Sequence, residues 1–410
     1  MKSFLNISCL SFVLAAAFSS YAQGFQVNFQ GQKQQGMGFA GTALFQDASS
    51  IFYNAGSIAF SNENSVNVSV TPIFANVLYV DSATGGAYRT ENPVGTPFCA
   101  YGLFQHKKNA KFKFGFGIYT PFGSTVQWED NWIGRFAITR LKLQAIYIQP
   151  TISYRLSKKI GIGGGFIYSK GSVNLQKDIP IQDSLGNYSH VELNGKAAGF
   201  GFNLGVNFQI NEIFSLGLSY RSKIKMNVKQ GEADFSVPSS LASNFPDGYF
   251  SGTLPLPDVA TIGFAYKTSP KCTFVLDINH VGWKSYDTLA FDYEENTTSL
   301  IDTKSPRNYK NIIAFRAGAE YKLSEVLSLR CGGGFGFTPV QDGYQTPETP
   351  DANRIYGTLG VSCQFNKRFS MDASLYYTHI KRAGRNIETN LNGTFTTKAL
   401  APGFSLIYNW

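Results

Sequence analysis

Hydrophobic and polar residues alternate with a period of two along most of the chain. Between Phe214 and Val228 one face carries Phe214, Leu216, Leu218, Tyr220, Ile224, Met226 and Val228. The other carries Ser215, Gly217, Ser219, Arg221, Lys223, Lys225 and Asn227. In "FSMDASLYYTHIK" Phe369, Met371, Ala373, Leu375 and Tyr377 oppose Ser370, Asp372, Ser374, Tyr376 and Thr378. "GFGFNLGVNFQI" sets Phe200, Phe202, Leu204, Val206, Phe208 and Ile210 against glycine, asparagine and glutamine. Such alternation marks strands with one apolar and one polar face. The runs reach about ten residues, the length of a tilted membrane strand and longer than the five or six usual in soluble sheets.

The connections divide into two kinds that alternate. Short turns fall at 106–111, 157–159, 211–212, 268–271, 323–325 and 366–368, and long polar segments at 81–95, 122–140, 179–195, 231–257, 287–308, 339–352 and 384–397. Six short turns and seven long loops predict fourteen strands with both barrel ends on the short-turn side. That is the layout of an outer-membrane barrel, with short periplasmic turns and longer extracellular loops. The last strand, "GFSLIYNW", places Phe404, Leu406, Tyr408 and Trp410 on one face and ends on an aromatic residue. The predicted fold is therefore all-β: a membrane-spanning antiparallel barrel of about fourteen strands.

Composition narrows this further. Residues 1–22 carry Lys2, the apolar run "LSFVLAAAF" and Ser20-Tyr21-Ala22, the pattern of an export signal. Residues 23–62 then precede the first strand, and 63–410 form the predicted barrel. No later apolar run reaches eighteen residues, which excludes a helical membrane protein. Aromatics at 15% and charged residues at 15% suit a membrane barrel. The net charge of +9 comes without a basic cluster or a recognition helix, so nucleic acid is not an expected partner. Cys99, Cys272, Cys331 and Cys363 lack pairing motifs and are expected to be free thiols.

Little in the sequence points to catalysis, a cofactor or a metal. His106, His190, His280 and His379 are scattered, with no serine or carboxylate at suggestive spacing and no metal-ligand cluster. The glycine runs "GIGGGF" and "CGGGFGF" lie within strands and read as small-residue packing, not phosphate loops. By parity Arg221, Lys223, Lys225, Lys310, Arg316, Glu320 and Arg354 face the lumen. A general diffusion porin would share the barrel but would keep an open polar lumen.

The segment "GFQVNFQGQKQQGMGFAGTALFQDASSIFYNAGSIAF", with "FGFGIYTPFG", "NWIGRF", "GTLPLPD" and "NYKNIIAFRAGAEYKL" in that order, resembles the FadL/TodX family of outer-membrane transporters for hydrophobic compounds. The resemblance covers nearly the whole exported chain. It implies a barrel plugged by an N-terminal hatch, a monomer of the bacterial outer membrane with both termini periplasmic. It implies passive uptake: ligand caught at an extracellular groove, passed to an internal pocket, and released sideways at a kinked third strand. The implied partners are a hydrophobic ligand, outer-membrane lipid and lipopolysaccharide, and the barrel-assembly machinery. Long-chain fatty acids are the leading ligand class, with aromatic hydrocarbons the alternative within the family.

Individual residues follow from the alignment. Lys310 and Lys170 match basic ligand-contacting positions, with Lys170 needing a bulge near 163–165 or 171 to turn inward. Arg316 shares the lumen face, and Phe25 matches a hatch aromatic near the inner ligand. Phe122, Trp128, Trp132 and Phe136 are candidates for the capture groove, and Gly115, Gly117 and Pro121 for the lateral opening. In "QDASSIFYNAGSIAF" Asn54 is expected to tie backbone groups of the hatch. There the family's Asn-Pro-Ala is replaced by Asn54-Ala55-Gly56, which predicts a softer turn.

Overall fold

The computed structural model describes residues 24–106 and 109–410, so the expected export signal lies outside the described residues. Twenty hydrogen-bonded segments form one antiparallel sheet, and six of them continue a neighbour across a short break. The fourteen resulting strands close into a barrel. They are β1 (Ser65–Val70, continuing as Phe74–Asp81), β2 (Ala87–Arg89, then Phe98–His106), β3 (Asn109–Gln127), β4 (Arg140–Arg155) and β5 (Ile160–Gln182). Next come β6 (Tyr188–Gln209), β7 (Phe214–Arg221, then Ile224–Ser236), β8 (Gly248–Leu256, then Val259–Ser269) and β9 (Cys272–Val281, then Thr288–Tyr293). The set ends with β10 (Thr303–Pro306, then Ile312–Lys322), β11 (Leu327–Gly336), β12 (Arg354–Gln364), β13 (Phe369–Arg385) and β14 (Asn392–Asn409). β14 pairs with β1 from Ser65↔Asn409 to Val70↔Phe404, which leaves no free edge.

Apolar residues of alternate parity form the outer wall. Phe200, Leu204, Phe166, Phe369, Phe404 and Leu406 are all exposed there, while Ser370, Asp372, Ser374 and Thr378 of β13 point inward and are buried. This inversion of the soluble pattern is what a lipid-facing barrel requires.

Two expectations about the wall need correction. Several predicted loops are strand: β5 and β6 run out to Gln182 and start at Tyr188, leaving only 183–187 as a turn. Polar cross-strand bonds sustain the ladder beyond the apolar band, as where Asn174 Nδ2 donates to Glu192 Oε1 at 2.6 Å. A polar stretch therefore reads as loop although it is paired. The second correction concerns phase. Arg221 of β7 is buried as expected, but so are Ile224, Met226 and Val228, whereas Lys223 and Lys225 are exposed. The break at 222–223 flips the alternation, because Ser222 leaves the ladder and its hydroxyl accepts from the Phe202 N–H at 2.9 Å.

Residues 24–60 fill the lumen. They form α1 (Gln32–Gly36), α2 (Ser50–Tyr53) and a 3-10 turn (Ser57–Phe60), and most of their side chains are buried. With few internal ladders, this segment satisfies its backbone against the wall. Asp277 Oδ2 on β9 accepts from the Gly41 and Thr42 N–H groups at 3.0 and 3.1 Å and from the Thr42 hydroxyl at 2.7 Å. Asn207 donates to Ala43 O, Arg155 to Ala59 O, and Gln35 to Ala401 O. Asn54 donates from Nδ2 to Thr42 O at 2.8 Å and to Val206 O of β6 at 3.0 Å. Its Oδ1 accepts from the Gly56 N–H at 2.9 Å.

The glycine run of β5 acquires a specific role here. A Cβ on Gly163 would lie 2.3 Å from Ala55 O, and one on Gly205 of β6 would lie 2.2 Å from Asn54 Oδ1. The plug backbone touches the wall backbone directly at these positions, which any side chain would prevent.

Candidate functional site

Pairing between β2 and β3 is incomplete. It ends at Cys99↔Tyr119 and resumes only at the Thr90↔Trp128 bridge. Between these points β2 leans toward β1, with Ile73 bridged to Gly95, and β3 carries a register shift between Tyr119 and Phe122. Proline at 121 lacks the N–H a ladder would use, which favours this break. The N-terminal segment occupies the vacated edge: the Val27 N–H donates to Pro121 O at 2.8 Å, and the Gly123 N–H donates to Phe25 O at 3.2 Å.

Phe25 is the pivot of the lumen. It lies edge-on to Trp283 at 4.8 Å, to Tyr286 at 5.7 Å and to Phe122 at 6.2 Å between ring centroids. Gly24 adopts φ +64°, and a Cβ there would sit 2.5 Å from the Trp283 ring, so glycine is needed to bring Phe25 into this cage. Two cavities meet at Phe25. One, of ≈ 40 Å³, is apolar and bounded by Phe122, Leu143, Ala145, Met226, Val228 and Leu256. The other, of ≈ 180 Å³, is mixed: Val27, Phe29, Val77 and Tyr376 line it together with Asp351 and Arg354. Gly123, Ser124, Thr125, Val126 and Asn92 also line the second cavity, which brings it to the unpaired stretch of wall.

The cations that border these inner cavities are arginines. Arg316 is buried and donates to Asn28 Oδ1 at 3.1 Å, and Arg221 lies 3.9 Å from the Phe52 ring centroid while bonding the Phe52 carbonyl at 2.6 Å. Both border a small polar cavity against the plug, opposite Asp277. Arg354 borders the larger cavity, and its Nε is buried without a partner. Asp351, in the connection between β11 and β12, accepts from the Gly24 N–H at 3.2 Å and the Thr338 hydroxyl at 2.7 Å. Burial pushes its carboxyl up to about 6, against the opposing pull of Arg354 and these donors.

The structure redistributes the sequence-predicted residues. Phe25, Arg316 and Asn54 lie at the plug. Lys170 is exposed on the outer wall, because the β4–β5 register holds constant from Arg140↔Gln176 to Arg155↔Gly161 and no bulge turns it inward. Lys310 is also exposed, at the break before Ile312, while its neighbour Tyr309 is buried. Trp128 and Trp132, expected in a surface groove, are only 4% and 0% exposed. They stack at 4.2 Å and, with Tyr79 and Phe395, make a core near the loop end. Phe122 is buried at the pocket, and of the proposed groove only Phe136 is exposed, against Tyr188 at 5.0 Å.

Gly115 and Gly117 stay paired to both neighbours, so of the three residues expected at the opening only Pro121 marks it. A Cβ on Gly115 would meet Ile51 of the plug at 2.7 Å, which is the close approach that position serves. Trp283, Tyr286 and Arg354 were not singled out as site residues. Trp283 lies in "HVGWKSYD", where alternation stops, and that loss of pattern was the available signal.

A closed β-barrel with an apolar outer wall, a filled lumen and an apolar internal pocket defines a plugged membrane channel. The family described as "Outer membrane protein transport protein (OMPP1/FadL/TodX)" matches residues 13–410, and the chain belongs to it. Outer membrane protein P1 of Haemophilus influenzae is 23% identical over 100% of both chains. The long-chain fatty acid transport protein of Escherichia coli K12 is 21% identical over 95% of this chain and 94% of its own. Among solved structures, a Pseudomonas aeruginosa FadL homologue superposes with a TM-score of 0.80 at 19% identity, covering 94% of this chain and 99% of its own. The P. putida toluene transporter TodX gives 0.73 at 14% identity, over 96% and 99%. The chain is an outer-membrane barrel of a family that transports hydrophobic compounds.

Proposed function

We propose that this protein carries long-chain fatty acids passively across the outer membrane, through the pocket at Phe25 and out sideways between β2 and β3. The turn end, where both termini lie, is assigned to the periplasm. The observation that carries the reading is the contact between the cavity at Phe25 and the unpaired stretch of β3, closed by Phe25–Val27 and by the Gln30 side chain, whose Nε2 donates to Thr120 O at 2.9 Å. An alkyl chain in the apolar cavity would displace little bound water at low cost. Its carboxylate would pair with the partnerless Nε side of Arg354, where low polarity strengthens an ion pair. This replaces Lys170, which lies on the outer wall, and Lys310, which is solvent-exposed in the break before β10 resumes. Release needs three hydrogen bonds between plug and β3 to open: Val27 N–H to Pro121 O, Gly123 N–H to Phe25 O, and Gln30 Nε2 to Thr120 O.

The test is uptake of labelled oleate and labelled toluene by cells lacking their own transporter. Arg354→Leu should cut oleate uptake at least tenfold and leave toluene uptake within twofold. Equal loss of both, or of neither, with normal amounts of barrel in the membrane, would reject fatty acid as the cargo held by Arg354.

A further inference from the structure

The lysines displaced from the lumen gather elsewhere. Lys142 on β4, Lys170 on β5, Lys196 on β6, and Lys223 and Lys225 on β7 are exposed, in phase with the lipid-facing residues of the wall. On each strand the lysine follows the apolar band toward the loop end. Lys170 comes just beyond Phe166 and Tyr168, Lys196 just beyond Phe200 and Phe202, and Lys223 just beyond Leu218 and Tyr220. Cross-strand pairing ties them into one patch: Lys170 pairs with Ala198, Ser172 with Lys196, and Ala198 with Asn227. None of the five is ion-paired among the described residues.

Beside them the wall is interrupted a second time. The β8–β9 ladder stops at Val259↔Val281 and resumes at Gly252↔Phe291. A cavity of ≈ 510 Å³ opens at this interruption, bounded by Lys223, Lys225 and Lys304 with Asp292 and Asp302. Carboxylates form the next tier toward the loop end: Glu192, Glu232 and Asp234 are partly or fully exposed there.

We propose that this lysine band is a docking surface for the phosphates of lipopolysaccharide in the outer leaflet. Charge and level both select that occupant. Unpaired ammonium groups directly above an aromatic girdle sit where acyl chains end and anionic headgroups begin. The carboxylate tier above bars free spread of phosphate further outward, so the lipid A phosphates are held at the lysines. The interruption at β8–β9 supplies a recess for one of them beside Lys223, Lys225 and Lys304.

The experiment is native mass spectrometry of the full purified chain in detergent, titrated with bisphosphorylated lipid A, lipid A stripped of both phosphates, and phosphatidylglycerol. Bisphosphorylated lipid A should bind at least 100-fold more tightly than the stripped form, a comparison that needs no variant. Each lysine near the surface contributes about fivefold. K196Q/K223Q/K225Q should therefore lose roughly 100-fold, and K196R/K223R/K225R should retain binding. Equal binding of stripped lipid A, or unchanged binding by the glutamine variant, would overturn the proposal. Phosphatidylglycerol binding as tightly as lipid A would also overturn it, by making the surface a general anion patch.

Discussion

Asn54→Ala removes a side chain that ties three backbone groups of plug and wall together. The side chain is fully buried and makes three hydrogen bonds of 2.8 to 3.0 Å, to Thr42 O, to Val206 O and from the Gly56 N–H. At about 1 kcal/mol net each, with about 1 kcal/mol more for stranding a buried backbone group, the loss is about 4 kcal/mol. The barrel ladder does not depend on this residue, so the cost falls on the local opening of the plug. That equilibrium should rise roughly 1000-fold. Amide hydrogen exchange on the purified protein reads it directly: protection should collapse across residues 50–57 and persist in β5 and β6. Unchanged protection in the plug, or equal loss in the wall, would refute the reasoning. Planar-bilayer recording should show longer or more frequent conducting events in the variant.

Other substitutions separate wall, loop and pocket. Gly163→Ala places a Cβ 2.3 Å from Ala55 O and should lower the amount of assembled, heat-modifiable barrel on electrophoresis, whereas Gly357→Ala, with open space around it, should not. Trp132→Ala removes a fully buried ring and should cost about 3–5 kcal/mol, seen as faster proteolysis within 128–139 while the barrel resists. The Asp351 carboxyl is raised by burial, so its contribution to plug stability is complete below its unfolded value and lost as pH rises through about 6. Hydrogen exchange at the plug's N-terminal end, corrected for the intrinsic pH dependence of amide exchange, should accelerate from about pH 4 to about pH 6, and Asp351→Asn should flatten that dependence.

The barrel was legible because its signal is repeated fourteen times and each strand's lipid face is apolar. What alternation could not reveal was a break that shifts phase. Parity assigned Lys223 and Lys225 to the lumen by counting on from Arg221, and one residue out of ladder at Ser222 reversed them. Lys310 falls in the break that precedes Ile312, where no ladder fixes parity. The aromatics of 122–136 misled for a different reason. A loop long enough to fold on itself can bury tryptophans, and Trp128 and Trp132 find Tyr79 and Phe395, which are distant in sequence. Asn54 was legible because a buried amide in a segment without regular structure has few other uses. Its one backbone target on β6, Val206 O, was not, since the close approach depends on glycines that carry no side-chain pattern.

The bare glycines that let plug and wall touch also govern the order of assembly. Gly24 reaches Asp351 across 327 residues and Gln35 reaches Ala401 across 366, so the first described residues wait for nearly the last. Such distant closures are slow to form from a loose chain. With Gly163 and Gly205 abutting the plug backbone, the wall has no slack through which a plug could thread after the β1–β14 seam is sealed. These contacts predict that the N-terminal segment acts as a mandrel, with the sheet wrapped around it and the seam closing last.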